Sequence, residues 1–312
     1  MTDLGSGLID EIAAARLLPE RDPRGHKGTF GRVLAVAGSL DYAGAALMAG
    51  SAAIRAGSGL VTLCVPASLQ PIIAGRVPEL ITRGLAESAP FEVDAVAAAA
   101  AVGELQHDAL LLGPGLPPSR AVARLSAALL AAEGSPAVVD AGALAVLAGM
   151  PGWWDRLARP VVVTPHPGEF ARLGHKAGQS DEERRAAALE AARSWGVTVV
   201  LKGAHTVIAA SDGRDLTAPF ELPALGTGGS GDVLAGVIAS LLGQGLAPFE
   251  AAALGVYLHA RAAEDLSSHL GDAGMMATDL LPAIPRVRRH LAARRERDRG
   301  GRLGFEAPGG PG

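Results

Sequence analysis

A glycine-rich segment that ends in an aspartate, LGTGGSGDVLAG at residues 225–236, carries the residue types best suited to chemistry in this chain. Its glycines at 226, 228 and 231 have the spacing G-x-G-x-x-G, which in a dinucleotide-binding fold directly follows a buried strand. Here the segment follows TAPFELPAL, which has two prolines and no clean strand pattern. The acidic residue expected at the end of a second strand is matched only by Glu250, within a helical pattern. The spacing therefore does not predict a bound dinucleotide cofactor of that type.

The same glycines fit an anion hole for a phosphate in transfer. Gly228, Gly229 and Gly231 let backbone N–H groups point into one concavity, and a helix that begins near Gly231 adds its positive end. Asp232 would then be a general base, taking the proton from a substrate hydroxyl that attacks a phosphoryl group. A carboxylate in a first helical turn also stabilises the helix, so capping alone is the alternative for Asp232. Lys27 in GHKGTFG lacks the glycine spacing of a P-loop.

The elements that must position these residues alternate between strand-like and helix-like runs. Strands are predicted at 31–39, 59–66, 107–116, 136–144, 159–169 and 196–203, with 205–211 pairing back as a hairpin, and helices at 42–57, 230–245 and 248–266. The Val/Leu runs are continuous rather than half-polar, which indicates strands buried on both faces of a mostly parallel sheet. The pattern predicts a doubly wound α/β fold with helices on both faces of the sheet. We assign 1–290 to a single domain and 291–312, rich in Arg, Gly and Pro, to a disordered tail.

Small and polar residues collect where the predicted strands end. They are Asp41, Gly113-Pro114-Gly115, Asp140, Thr164-Pro165-His166 and Lys202-Gly203. Because ligands bind at the carboxyl ends of strands in open α/β sheets, these positions and the glycine-rich segment are expected to form one site.

Composition excludes several classes of protein. A net charge of −4 argues against a general nucleic-acid binder, and the single cysteine, Cys64, excludes an internal disulfide or a multi-cysteine metal site. No signal-peptide core and no long uncharged apolar run are present, so a soluble cytoplasmic protein without a membrane anchor is expected.

Several segments, in order, resemble one known family. They are HKGTFGRVLAVAGSLDYAGAALMAGSAAIRAGSGLVTLCVP, LLLGPGL, VVDAGAL, VVVTPHPGEFARLG, VVLKGAHTVIA, the TGGSGD loop and MMATDLLPAIP. Together they resemble ADP/ATP-dependent NAD(P)H-hydrate dehydratases of the ribokinase-like superfamily, from Arg21 to Arg286. Two departures are Pro117, where the family often has glycine, and the absence of an asparagine shortly before the TGGSGD loop.

The resemblance implies a three-layer ribokinase-like fold and a repair reaction on hydrated nicotinamide coenzymes. Such enzymes phosphorylate the 6-hydroxyl of (S)-NADHX or (S)-NADPHX and eliminate phosphate, giving NADH or NADPH. We expect ADP rather than ATP as co-substrate, with Mg²⁺, because the segments resemble the prokaryotic type. The family also implies a homotetramer and a functional link to an epimerase. The chain length suggests a stand-alone dehydratase with a separate NAD(P)HX epimerase as partner.

The resemblance also implies roles for individual residues. It places Asp232, Gly228, Gly229 and Gly231 at the chemical step; Ala45, Gly115, His166 and Asp232 on the hydrated dinucleotide; Lys202, Gly203, Ala204, His205, Thr206 and Gly231 on the nucleotide; and Glu169 on magnesium through water. The simpler alternatives are a structural histidine at 166, a helix N-terminal glutamate at 169 and a surface lysine at 202. For Asp140, assisting magnesium and holding a loop are both open. His26, Lys27 and Thr29 belong to the N-terminal signature without an assigned role.

Two other functions are compatible with the motifs. A small-molecule kinase of the thiazole-alcohol or vitamin type would use the same loop and release a stable phosphate ester. A non-enzymatic nucleotide-binding or scaffold protein is the third hypothesis, and an intact aspartate after an intact glycine loop argues against it.

Overall fold

A sheet of ten strands runs through the centre of the protein, in a computed structural model that describes residues 6–302 and side chains as far as Asp298. The strand order is β1-β12-β11-β10-β9-β8-β7-β2-β3-β4, and a separate hairpin joins β5 and β6. Within the large sheet β11 alone runs antiparallel to its neighbours β10 and β12, and all other pairs are parallel. The strands are β1 (Gly7–Leu8), β2 (Arg32–Val36), β3 (Leu60–Pro66), β4 (Ile81–Leu85), β5 (Glu87–Ala89), β6 (Glu92–Val93), β7 (Ala109–Leu112), β8 (Ala137–Val139), β9 (Val161–Val163), β10 (Thr198–Leu201), β11 (Val207–Ala209) and β12 (Asp215–Thr217).

Helices cover both faces of this sheet. They are α1 (Glu11–Leu17), α2 (Ala43–Arg55), α3 (Gln70–Ile73), α4 (Ala95–Glu104), α5 (Arg120–Ala131), α6 (Gly142–Leu147), α7 (Pro167–Arg172), α8 (Asp181–Trp195), α9 (Ser230–Gly243), α10 (Pro248–Leu270) and α11 (Leu280–Arg302), with 3-10 turns at Trp153–Arg156, Pro223–Leu225 and Ala277–Asp279.

Alternate residues of each strand enter two separate cores, which explains the continuous apolar runs. In β2, Val33 and Ala35 pack with α1, α2, α9, α10 and α11, whereas Leu34 and Val36 pack with α4, α5, α6 and α8. The predicted mostly parallel sheet between two helical layers is therefore confirmed. The predicted strands and helices are found in the predicted order, and the 205–211 run contributes β11, antiparallel to β10 as expected. The predicted strands 136–144 and 159–169 were too long, since residues 142–144 begin α6 and residues 167–169 begin α7.

The last helix differs from the predicted tail. Helix α11 continues to Arg302, so the predicted domain boundary at 290 falls inside it. The reason is packing: Leu291 is buried in the core, and Arg295 Nη1 donates to the carbonyl of Leu18 at 2.5 Å. Residues 303–312 of the predicted tail lie outside the described residues.

Between residues 6 and 302, no helix is both long enough and apolar enough to cross a bilayer.

Helices α2 and α9 cross without side chains between their backbones at one point. A Cβ added at Gly236 of α9 would lie 2.1 Å from the carbonyl oxygen of Ala49 in α2. This close approach fixes α2 against the helix that carries Asp232 in its first turn.

We expect Gly236→Ala to destabilise the protein, by about 1–3 kcal/mol, because the added methyl meets backbone that cannot rotate away. The midpoint of urea unfolding measures this. Gly103→Ala in α4 is the matched control, since its Cβ would meet nothing within 4 Å, and helix propensity there predicts a gain of up to about 1 kcal/mol. Equal midpoints for the two variants would contradict the close-contact interpretation.

Candidate active site

The strand ends bring most of the predicted residues to one edge of the sheet. Strands β8, β9 and β10 are neighbours, and they end just before Asp140, His166 and Lys202 respectively. Helix α9 begins at Ser230, and its first turn carries Asp232. The 3-10 turn Pro223–Leu225 lies before that helix instead of a strand, which agrees with the exclusion of a dinucleotide cofactor fingerprint.

A buried lysine lies among acidic side chains at this edge. Lys202 Nζ is 2.9 Å from Asp140 Oδ1 and 3.8 Å from Glu169 Oε2. The lysine side chain is 19% exposed and the aspartate 2%, so the alternative of a surface lysine at 202 is wrong. Burial by itself would lower the pKa of Lys202, but the carboxylates of Asp140 and Glu169 outweigh it and hold that pKa above its usual value. The site therefore keeps one fixed positive charge.

Asp232 lies next to this pair and is not neutralised by it. Burial, followed by repulsion from Asp140, raises the pKa of Asp232 from 3.8 to about 7, although Lys202 acts in the opposite direction. Among the described residues, the Asp232 carboxylate makes no hydrogen bond. Gly229 is the N-cap residue of α9, and no side chain caps this helix. A carboxylate that is partly protonated near pH 7 has the proton affinity that suits a general base.

The glycine loop before Asp232 is held by side chains on either side of it. Gly229 has φ +92°, and a Cβ there would lie 2.5 Å from Met48 Cε. A Cβ at Gly231 would lie 3.3 Å from Lys202 Nζ, so glycine lets the backbone approach the ammonium group without displacing it. A Cβ at Gly228 would meet nothing within 4 Å. The hydroxyl of Ser230 donates to the carbonyls of residues 225 and 227, which fixes the loop at the positive end of α9.

His166 and Glu169 cap the short helix α7, as their structural alternatives predicted. Nδ1 of His166 accepts from the backbone N–H groups of Gly168 at 3.0 Å and Glu169 at 3.3 Å, while Glu169 Oε2 accepts from His166 N at 2.8 Å. Since Nδ1 accepts, the ring proton is on Nε2, and half of this side chain is exposed. The capping bonds do not use Nε2, which lies 3.6 Å from Glu169 Oε2, and contact of His166 with the dinucleotide stays a prediction.

Ala45 and Gly115 contact each other beside the same loop. Gly115 has φ +69°, and a Cβ on it would lie 3.0 Å from Ala45 Cβ and 2.5 Å from the carbonyl oxygen of Tyr42. Ala45 lies one turn before Met48 on α2, and Met48 contacts Gly229. The predicted dinucleotide residues and the glycine loop are thus joined by one face of a single helix.

A cavity of about 500 Å³ opens on the other side of the glycine loop. Five of the predicted nucleotide residues line it: Lys202, Gly203, Ala204, Thr206 and Gly231. His205 does not. It has φ +52°, and its ring pairs with Asp181 at 2.7 Å and with Glu221 at 3.9 Å.

Most of the cavity wall was missed by the sequence analysis. The missed lining includes Phe220, Leu222, Leu225, Val256, His259 and Ala260. These residues lie in an irregular proline-containing segment and on the inner face of α10, where apolar side chains look like ordinary core. His259 is the one polar residue that α10 contributes to the cavity lining.

Asp140 is more central than its sequence indicated. It is 1% exposed, it pairs with Lys202, and it contributes to the raised pKa of Asp232. The next residue, Ala141, has φ +50°, a conformation that costs a non-glycine residue about 1–3 kcal/mol and clusters at functional sites.

A resident metal cage is absent from the described part of the chain. No three or more His, Cys, Asp or Glu side chains between residues 6 and 298 come together as ligands. Asp140 is paired with Lys202, and Glu169 Oε2 is used by His166 N and Lys202, whereas Glu169 Oε1 makes no hydrogen bond among the described residues. This donor set fits only a magnesium ion that keeps most of its waters and takes other oxygens from phosphate.

Comparison with known proteins gives consistent matches. The family model described as NAD(P)H-hydrate dehydratase matches residues 33–286. The ADP-dependent (S)-NAD(P)H-hydrate dehydratase of Xanthomonas campestris is 37% identical over 279 residues, 88% of this chain and 94% of that protein. The bifunctional NAD(P)H-hydrate repair enzyme of Moorella thermoacetica is 45% identical over 276 residues, 88% of this chain and 52% of that enzyme. The chain thus spans about half the length of the bifunctional relatives.

The fold is also that of solved relatives. The crystal structure of the ADP/ATP-dependent NAD(P)H-hydrate dehydratase from Bacillus subtilis, co-crystallised with ATP/Mg²⁺, superposes with a TM-score of 0.79 at 32% identity, covering 93% of this chain and 100% of that one.

Asp232→Asn should stabilise the protein, and more strongly at pH 8 than at pH 5. The pKa of Asp232 is raised to about 7 on folding, so its contribution to stability is present at low pH and is lost as pH rises towards 7. Asparagine cannot ionise and avoids that loss. Thermal unfolding across this pH range measures the difference, and a gain that does not grow with pH would show that the carboxylate is not destabilised by its surroundings.

Lys202→Met should have the opposite effect on stability. It leaves the buried Asp140 without its partner and should cost about 3–5 kcal/mol at neutral pH. Acidification should recover part of this loss, because the unpaired carboxylates then take up protons. Urea unfolding at pH 8 and pH 5 measures it, with Lys176→Met as control because that lysine is exposed. Equal losses for the two variants would be inconsistent with a buried pair.

Proposed function

The chain belongs to the NAD(P)H-hydrate dehydratase family, and we propose that it converts (S)-NADHX and (S)-NADPHX to NADH and NADPH with ADP, releasing AMP and phosphate. The observation that carries the proposal is the position of Asp232. Its carboxylate, with a pKa near 7, lies in the first turn of α9, directly after Gly231 of the cavity lining and three residues after Gly229, which Met48 of the Ala45-bearing helix contacts.

The first step is phosphoryl transfer. The 6-hydroxyl oxygen of the hydrated ring attacks the terminal phosphorus of ADP, the bond from that phosphorus to the AMP oxygen breaks, and Asp232 takes the hydroxyl proton. The N-terminus of α9 and the fixed charge of Lys202 stabilise the negative charge on the transferring group. Gly231 permits this because its lack of a side chain leaves room beside the ammonium group.

The second step is elimination. The C6–O bond breaks and phosphate leaves, driven by the lone pair of the ring nitrogen, and loss of a proton from the adjacent carbon restores the ring double bond. Phosphate is a far better leaving group than hydroxide, which is why the nucleotide is consumed. The exposed Nε2 of His166 is suited to hold the dinucleotide during this step.

Magnesium is part of the proposal. A bound Mg²⁺ would neutralise charge on the nucleotide phosphates, and Glu169 would orient one of its waters. The ATP/Mg²⁺ in the Bacillus subtilis crystal supports this ion for the family.

The setting of the reaction is also proposed. An epimerase is the expected functional partner, because it would supply the S form, and the bifunctional repair enzymes about twice this length support that link. We propose a cytoplasmic location, where soluble coenzymes are damaged, and a homotetramer as the family resemblance implies.

The decisive experiment supplies purified protein with S-NADHX, Mg²⁺ and a panel of nucleoside di- and triphosphates, and follows the return of reduced-nicotinamide absorbance. ADP should support repair, with AMP and phosphate as products. Asp232→Asn should lower the rate by about 100-fold or more while ADP binding persists. Asp272→Asn, at an exposed position, is the control. Mass spectrometry that finds a stable phosphate ester would instead identify a small-molecule kinase.

A further inference from the structure

A buried histidine on α10 faces the nucleotide cavity. His259 is 6% exposed and lines the cavity together with Val256 and Ala260 of the same helix. His259 lies outside all the motifs that predicted the site, and it has no role in the reaction proposed above.

The protonation state of this ring follows from its one hydrogen bond. Nε2 lies 2.9 Å from the carbonyl oxygen of Ser230, and a carbonyl only accepts, so Nε2 carries the proton. Burial lowers the pKa of His259 to about 4, with a further decrease from the charge of Lys202. The imidazole is therefore neutral at physiological pH, and its other nitrogen, Nδ1, offers a lone pair.

That lone pair has no partner among the side chains and backbone groups of residues 6–298. Nδ1 makes no hydrogen bond to any described residue, and it is not among the atoms sealed from solvent. Since the residue lines the cavity, the accessible nitrogen opens towards the cavity. Nearly all buried polar atoms in folded proteins are paired, and an acceptor left in a mostly apolar cavity is suited to a donor on the occupant.

The nucleoside part of the nucleotide lies within reach of this nitrogen. Ser230, which accepts from His259, immediately precedes Gly231 in the loop that holds the phosphates under the proposed function. A nucleotide with its phosphates at the N-terminus of α9 thus places its sugar and base beside the ring.

We propose that His259 selects the nucleotide by accepting, at Nδ1, a hydrogen bond from a donor on the nucleoside. The inference rests on the proposed function for the presence of the nucleotide, and it adds the residue that reads it. Adenosine has two kinds of donor, the 6-amino group of the base and the ribose hydroxyls. Guanine has a carbonyl oxygen where adenine has the amino group, so a lone pair would face a lone pair if the base is what His259 reads.

Two substitutions separate the two ring nitrogens. His259→Gln keeps an amide N–H that can reach the Ser230 carbonyl but has no acceptor at the Nδ1 position. His259→Asn keeps an acceptor near that position but is too short to reach Ser230. We expect the glutamine variant to bind ADP about three- to tenfold more weakly, as loss of one neutral hydrogen bond requires, and to unfold near the wild-type temperature. The asparagine variant should retain ADP affinity and unfold at a lower temperature.

Nucleotide analogues identify the donor without any substitution. Titration calorimetry of the wild-type protein compares ADP with purine riboside diphosphate, which lacks the 6-amino group, and with the 2′-deoxy and 3′-deoxy forms of ADP. To the wild-type protein, the analogue that lacks the donor should bind about three- to tenfold more weakly than ADP. To His259→Gln, that analogue and ADP should bind with the same affinity.

The outcomes of these experiments test the role of His259 and the proposed reaction separately. The role of His259 is overturned if His259→Gln binds ADP as tightly as the wild-type protein does. It is also overturned if this variant discriminates each analogue from ADP as strongly as the wild-type protein does. Binding of ADP without repair of S-NADHX overturns the proposed reaction and leaves the assignment of His259 intact. Failure of the wild-type protein to bind any adenosine nucleotide overturns both.

Discussion

The buried ion pair between Lys202 and Asp140 is the interaction on which the candidate site depends. An ammonium group cannot be kept charged inside a protein unless carboxylates surround it, and the pair meets that need at the point where β8 and β10 end. Once Asp140 and Glu169 are committed to the lysine, a third carboxylate nearby cannot ionise freely. Burial of Asp232 and, after it, repulsion from Asp140 raise the pKa of Asp232 to about 7, and the Lys202 ammonium group lies next to the glycine loop.

Much of this arrangement could be predicted because it follows from chain geometry. Parallel strands buried on both faces show as uninterrupted Val/Leu runs, and their carboxyl ends meet at one edge, so Asp140, His166 and Lys202 were expected to converge. The segment before the glycines around Asp232 is not a strand. This context favoured an anion hole over a dinucleotide-binding fingerprint. The hairpin after Lys202 was also predicted correctly.

The features that were missed have no local pattern. The apolar wall formed by Phe220, Leu222 and Val256 is indistinguishable in sequence from core, since only the tertiary structure decides whether an apolar side chain meets another one or a cavity. The burial of Lys202 depends on two carboxylates distant in sequence, Asp140 after β8 and Glu169 in α7. The end of α11 was placed too early because a run rich in arginine looks solvated, while Leu291 and Arg295 attach it to the core and to α1.

The close backbone contact between α2 and α9 at Gly236 also bears on which atom of a substrate can react. One helix bears Ala45 and Met48, the other bears the loop and Asp232, and their backbones touch without a deformable side chain between them. The distance between Ala45 on α2 and Asp232 on α9 is therefore fixed. Under the proposed function, a dinucleotide bound at Gly115 would present to Asp232 the atom that lies at this fixed distance, so the length of the substrate would select the hydroxyl that reacts.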